Sequence, residues 1–254
     1  MPIARKGDAT TLRFLMPRAR RDFYRTDSIT LARRLLGCRL VREFPRRPSA
    51  NGAPPTRPTR PVRLIATIVE TEAYLGAEDA AAHSYRLRRT DRNQSMYGPP
   101  GTAYIYFTYG MHHCFNIVCG EENEPVAVLI RAAAPLEGIA HMRRRRAAGR
   151  RGRSRRDRPL APMPDRDLCR GPARLCEAFG LDRRHDGLDL AAARELWIEP
   201  GALVPPRAVA TAPRVGVAYA GDWAHRPLRF LLRADPHVSV RRPRTQRSAG
   251  VTAL

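Results

Sequence analysis

Two aromatic, β-branched runs stand two residues apart in this chain: Thr102–Tyr109 (TAYIYFTY) and His112–Cys119 (HHCFNIVC), separated by Gly110-Met111. Residues of these types favour strands, and so short a glycine-containing connection closes them into a tight antiparallel hairpin with an exposed tip. The hairpin commits the chain to an antiparallel sheet, since parallel neighbours need a crossover of about a dozen residues. Tyr104 and Tyr106 share one face of the first strand, and Tyr109 lies beside the turn. Packing across strands would account for the first two rings. A large ring at a loop tip is costly unless it has a target.

The remaining pattern is mixed. Asp27–Gly37 reads as a short helix, capped by Asp27 or Ser28, striped by Leu31, Leu35 and Leu36, and ended at Gly37. Cys38–Phe44 and Arg63–Tyr74 read as strands of a long hairpin, joined by a solvated Pro/Arg/Ser/Gly connector. Pro125–Ala133 is a buried strand that carries Arg131 and ends at the Pro135-Leu136 break, and Glu137–Arg146 starts as a helix that runs into an arginine block. Gly171–Phe179 is a second short helix stopped by Gly180, with further strands expected at Val209–Val217, Leu228–Arg233 and Val238–Val240. Strands outnumber helices and no repeat is present. The expected fold is α+β: a single compact domain around a mostly antiparallel curved β-sheet, with flanking helices and a protruding β-hairpin.

The 254 residues hold 46 Lys+Arg against 24 Asp+Glu, a net charge of +22. Residues 1–21, 44–62, 142–158 and 241–254 carry +5, +4, +9 and +4, so the excess lies wholly in flanks and low-complexity stretches around a neutral core. Long-range attraction to a polyanion and local chemistry are therefore expected to be separate tasks. Lys6 is the only lysine, which argues against a buried amine nucleophile. The five cysteines form no CxxC pair and follow no apolar leader, consistent with free thiols in a reducing, intracellular setting. No apolar run approaches a membrane span, so no membrane partner is expected.

The sharpest chemical cluster is the run VETEAYLGAEDAAAHS beginning at Val69. In an extended strand Glu70, Glu72 and Tyr74 share one face. On this segment alone, a solvated strand edge accounts for the pattern as well as an active site does. Together with the hairpin the balance changes. Basic appendages, an aromatic tip beside a methionine, and a carboxylate near several rings are the parts that base flipping requires: attraction to DNA, a wedge, and a pocket with an acid or base at the sugar.

The chain resembles the alkyladenine (3-methyladenine) DNA glycosylase family. The resemblance is carried by that acidic run, by Pro100-Gly101-Thr102 leading into AYIYFTYGMHHCFN, by LIRAAAPLEG from Leu129 to Gly138, by Leu168–Pro172 leading into RLC, and by RVGVAYAGDWAHRPLRF from Arg214 to Phe230. It runs in order from about Asp22 to Val240. The resemblance implies a hydrolase that excises damaged purines, with Glu72 as the general base for water and Arg131 keeping its carboxylate ionised and oriented. It places Tyr74 on one face of the flipped base, and His83 and Tyr106 on the other. Tyr104 would shape the pocket wall, Asn116 would discriminate among purines, and the His83 backbone would read the base edge. Tyr109, helped by Met111, would intercalate. The implied domain spans 22–240 with basic loops at 44–62 and 142–165, between a basic extension (1–21) and a basic tail (241–254).

The expected enzyme is a monomeric, monofunctional glycosylase without cofactor, acting on double-stranded DNA that contains damaged purines. His112-His113 follow Met111 where an apolar continuation would be unremarkable, and Tyr85–Tyr97 offers little to match, so lesion preference is left open. His112, His113, Cys114 and Cys119 lack zinc-ligand spacing, and no metal is expected. A catalytically silent nucleic-acid-binding protein and an RNA-binding basic domain are the alternatives from other classes.

Overall fold

Residues 17–44, 61–108, 110–153 and 163–239 are described by the computed structural model. Two long strands, β2 (Val62–Tyr74) and β5 (Val126–Glu137), pair antiparallel along most of their length and form the spine of the sheet. β3 (Ala103–Thr108) and β4 (His112–Cys119) continue from β5 as the expected hairpin, while β1 (Arg39–Phe44) and β6 (Leu196–Glu199) extend the other side, giving the order β3-β4-β5-β2-β1-β6. The short pair β7 (Val209–Ala212) and β8 (Arg229–Leu232) joins through β8 to β2 at Glu70–Glu72. All pairings are antiparallel. Register shifts along β2 and β5 fall at Ile65/Ala66, Ile68/Glu70 and Glu70/Thr71, and such irregularities curve a sheet.

Side-chain alternation divides the sheet into a packing face and a working face. Ala103 and Ile105 of β3, Phe115 and Ile117 of β4, Val128 and Ile130 of β5, and Ala66 and Ile68 of β2 all enter the main core. There they meet helix α2 (Ser28–Arg34) through Leu31 and Ala32, and helix α4 (Pro172–Phe179) through Leu175, Cys176 and Phe179. Each fully buried Phe or Leu of this set contributes about 2 to 3 kcal/mol. The intervening residues Tyr104, Asn116, Ala127, Leu129 and Arg131 point to the opposite face, where they line a cavity.

Helix ends follow local chemistry. The Asp27 carboxylate accepts from the Thr30 amide (2.8 Å), capping α2. Pro172 opens α4 and Gly180 ends it in the left-handed region (φ 65°). The Arg42 guanidinium reaches across from β1 to donate to the carbonyls of Phe179 (2.8 Å) and Gly180 (2.5 Å), placing a cation at the negative end of α4.

Both outer strands of the main path have occupied edges. On β3, the Ile105 amide donates to Asp186 Oδ1 (2.7 Å), Ala103 exchanges backbone bonds with Leu188 and Gly187, and Arg92 donates to the Phe107 carbonyl (3.0 Å). On β6, the Ile198 carbonyl accepts from the Ala19 amide (2.8 Å).

Several expectations need correction. β5 does not stop before Pro135 but runs to Glu137, because Pro135 falls next to a register irregularity, where a missing N–H is tolerated. The helix expected over Glu137–Arg146 is present and continues further into the arginine block: α3 spans Ile139–Arg153, anchored by buried Met142 and by the Arg146–Glu177 ion pair to α4. Residues 154–162 lie outside the described residues. β7 ends at Ala212, since Pro213 lacks an amide and Arg214 turns inward. Val238–Ser239 is not a strand; the Ser239 amide binds the Glu70 carboxylate (2.6 Å) instead of a neighbouring strand. β6 and the single-turn helix α1 (Arg21–Tyr24) were not expected.

Gly138 joins β5 to α3 at φ +77°, where a Cβ would come within 2.5 Å of the Arg63 carbonyl oxygen. Gly138→Ala is expected to lower stability by roughly 2 to 4 kcal/mol, measured by urea unfolding.

Candidate active site

The working face of the sheet carries a cavity of about 400 Å³, sized for one planar ring system. β3 supplies Tyr104 and Tyr106, β4 Cys114 and Asn116, β5 Ala127, Leu129 and Arg131, and the end of β2 Tyr74. The loop after β2 adds Ala81, Ala82 and His83, and the segment after β7 adds Val215–Val217 and Tyr219. Period-two alternation on four neighbouring strands thus converges on one wall.

Beneath this wall lies Glu72, fully buried. Its Oε1 accepts from the Val215 amide (2.7 Å), and its Oε2 accepts from the Tyr74 hydroxyl (3.1 Å) and faces the Arg131 guanidinium (3.2 Å). All three partners are wall residues, so Glu72 sits one layer below the cavity surface. Arg131 also donates through Nε to Glu70 Oε1 (3.1 Å). Glu70 further accepts from Arg229 (3.0 Å) and from both the amide and the hydroxyl of Ser239 (2.6 and 3.0 Å). Burial alone would depress the Arg131 pKa, but Glu72 and then Glu70 outweigh it and raise the pKa above its ordinary value. Burial, with Glu72 adding to it, holds the Tyr74 hydroxyl well above its usual range, so Tyr74 donates to Glu72 as a neutral phenol.

His83 is hydrogen-bonded through Nδ1 to the Tyr104 hydroxyl (2.7 Å) and meets the Tyr106 ring edge-on at 4.5 Å. Tyr104 and Tyr106 lie 5.5 Å apart at a tilt of 35°. Burial, then Arg92 and Arg88, lowers the His83 pKa to about 4, which keeps the imidazole neutral near pH 7. Asn116, buried, donates to the Tyr104 carbonyl (3.0 Å). The His83 carbonyl accepts from Asn93 (3.1 Å), which also bonds Thr90 and Arg88 and so organises the 85–97 stretch.

The structure therefore gathers Glu72, Arg131, Tyr74, His83, Tyr104, Tyr106 and Asn116 around one cavity. Tyr109 lies outside the described residues. Met111 is at the hairpin tip, 57% exposed and apart from the cavity lining. His112, His113, Cys114 and Cys119 fall on β4, and among the described residues no group of three or more His, Cys, Asp or Glu is placed to hold a metal. No described helix is long and apolar enough to cross a membrane.

Sequence reasoning missed Asp79 and Arg214. They form a buried two-point ion pair (2.5 and 2.8 Å), and Asp79 also accepts from the Leu75 and Ala81 amides (3.1 and 3.0 Å). Both residues belong to motifs that the sequence made conspicuous, but nothing local joins positions so far apart in the chain.

A family model described as Methylpurine-DNA glycosylase (MPG) matches residues 55–236. A Homo sapiens protein named DNA-3-methyladenine glycosylase is 44% identical over 220 residues, covering 86% of this chain and 67% of that protein. A Desulfitobacterium hafniense protein named "Putative 3-methyladenine DNA glycosylase" is 39% identical over 226 residues, covering 89% of this chain and 100% of that protein. One of the same name from Methanocella arvoryzae is 38% identical over 228 residues, covering 90% of this chain and 98% of that protein. The chain spans 67%, 60% and 62% of the length of its human, mouse and rat relatives.

The depressed His83 pKa has a stability consequence. Its contribution is present above the unfolded value near 6.5 and is lost as pH falls towards about 4, because the unfolded chain takes up the proton first. His83→Gln is expected to flatten the loss of stability between those pH values, measured by urea midpoints from pH 7 to 4.

Proposed function

Because this chain belongs to the methylpurine-DNA glycosylase family, we propose that it excises alkylated purines from double-stranded DNA by hydrolysing the N-glycosidic bond, with deaminated and etheno purines as further candidate substrates. The observation that carries this reading is the buried Glu72, held from three sides directly beneath a cavity walled by Tyr74, His83, Tyr104 and Tyr106.

A purine turned out of the duplex enters the cavity, with Tyr74 against one face and His83 and Tyr106 against the other. A carboxylate offers about four acceptor sites; Glu72 accepts two hydrogen bonds and faces Arg131, which leaves acceptor capacity for a water between it and the flipped nucleotide. That water attacks C1′ of the sugar while Glu72 takes its proton, and the bonding pair of the C1′–N bond leaves with the base. Arg131 holds the Glu72 carboxylate in position. Alkylation at N3 or N7 makes the purine cationic, which weakens that bond and lets the base leave as a neutral molecule. A neutral lesion needs a proton from elsewhere, and His83 is a poor donor at pH 7 with its pKa near 4.

Asn116, buried at the pocket wall, discriminates among purine edges, and the His83 amide contributes to the same reading. Tyr109 and Met111 fill the gap left in the stack. The domain spans 22–240, and the basic segments at 1–21, 44–62 and 241–254 attract phosphate without reading sequence. The enzyme works as a monomer without cofactor, inside the cell and associated with DNA. Water rather than an amine is the nucleophile, in keeping with a chain whose only lysine is Lys6, so the product is an uncut abasic site.

The test is single-turnover release of 3-methyladenine and 7-methylguanine from methylated duplex DNA, with strand cleavage assayed separately. Glu72→Gln is expected to bind the lesion and to slow release by about 100-fold or more. Binding by wild-type protein without release would identify a silent DNA-binding protein instead. Tyr109→Ser is expected to slow excision of a paired lesion while sparing the same lesion in a single strand.

A further inference from the structure

A pocket of electron-rich rings attracts a cationic purine over a neutral one. One of these rings already has a cation on it. Arg214 Cζ lies over the Tyr74 ring, 4.6 Å from its centroid. Its side chain is fully buried, and Arg214 is not part of the cavity wall that Tyr74 lines, so the guanidinium occupies the side of the ring turned away from the cavity. Asp79 holds it there from two points, and the Ala73 carbonyl adds a third bond at 2.9 Å. The Arg214 Nε–H finds no acceptor among the described residues.

A cation on one face of an aromatic ring draws the π electrons towards itself and repels a second cation on the other face. Asp79 offsets part of that field. We propose that Arg214 is a specificity-determining positioning residue: pressed by Asp79 against the hidden face of Tyr74, it fixes the ring for stacking and reduces the pocket's preference for cationic over neutral purines. The proposal rests on the excision activity inferred above. Arg92, 5.7 Å from the centroid of Tyr106, acts in the same sense but from the exposed surface, where solvent screens it.

The experiment compares single-turnover excision of cationic 7-methylguanine and neutral hypoxanthine from otherwise identical duplexes. In the double variant Asp79→Asn/Arg214→Gln, an uncharged pair of similar shape, the ratio of the 7-methylguanine rate to the hypoxanthine rate is expected to rise about three- to tenfold. In Asp79→Asn alone the guanidinium loses its countercharge, and the ratio is expected to fall. Circular dichroism and thermal melts check folding, and if the double variant does not fold, the sign of the Asp79→Asn change decides. Rates that drop in parallel with the ratio unmoved would reduce Arg214 to a scaffold residue and overturn the proposal. A wild-type protein that releases neither base would instead remove the excision reading, and this proposal with it.

Discussion

Arg131 stands between two buried carboxylates, Glu70 and Glu72, and the working face of the sheet depends on it. An unpaired buried charge is costly enough that a carboxyl group would neutralise rather than stay ionised. Here the buried charges are paired in two sets beside the cavity: Glu70 and Glu72 with Arg131 and Arg229, and Asp79 with Arg214. Within the one-to-one Asp79–Arg214 pair, removing either member strands the other, at a cost of about 3 to 5 kcal/mol. The register shift at Glu70/Thr71 falls where β2 and β5 carry Glu70 and Arg131, so an irregularity in the ladder accompanies the centre of the charge network. Arginine suits these sites for a physical reason, since its flat fork can meet a carboxylate at two points, as Arg214 meets Asp79.

Much of this was legible in the sequence because strands expose a period of two. The alternation of Tyr104 and Tyr106 with Ile105 separates the working face from the core without any knowledge of tertiary contacts, whereas Asn116 was pointed to only by the family resemblance. Local punctuation was equally readable: Asp27 caps α2 and Gly180 ends α4. What escaped was set at long range. The Val215 amide reaches Glu72 and Arg214 reaches Asp79 across well over a hundred residues of chain, and no local pattern encodes such meetings. β6 is only four residues long and is specified by its pairing with β1 rather than by its own periodicity. Pro135 misled because its effect depends on whether the facing strand is regular.

The charge excess divides less cleanly than composition suggested. Within the arginine block, Arg146 is buried and paired with Glu177, Arg143 pairs with Asp165, and Arg145 lies over the Phe44 ring. These side chains hold α3 against the body of the protein. A basic stretch can therefore be part scaffold and part field, and a charge count along the chain cannot separate the two.

The occupied edges of the sheet bear on how this protein survives crowding. An open strand edge is a template for another strand, and a sheet that offers its aromatic hairpin at one end is exposed to that hazard. Here the outward amides of Ala103 and Ile105 are spent on the 186–188 loop, and Arg92 takes the Phe107 carbonyl. The hairpin tip can thus expose apolar surface at Met111 while the strand behind it offers little to a second sheet. The hairpin's exposed apolar character is thus carried by side chains such as Met111 and not by open backbone, which would invite self-association.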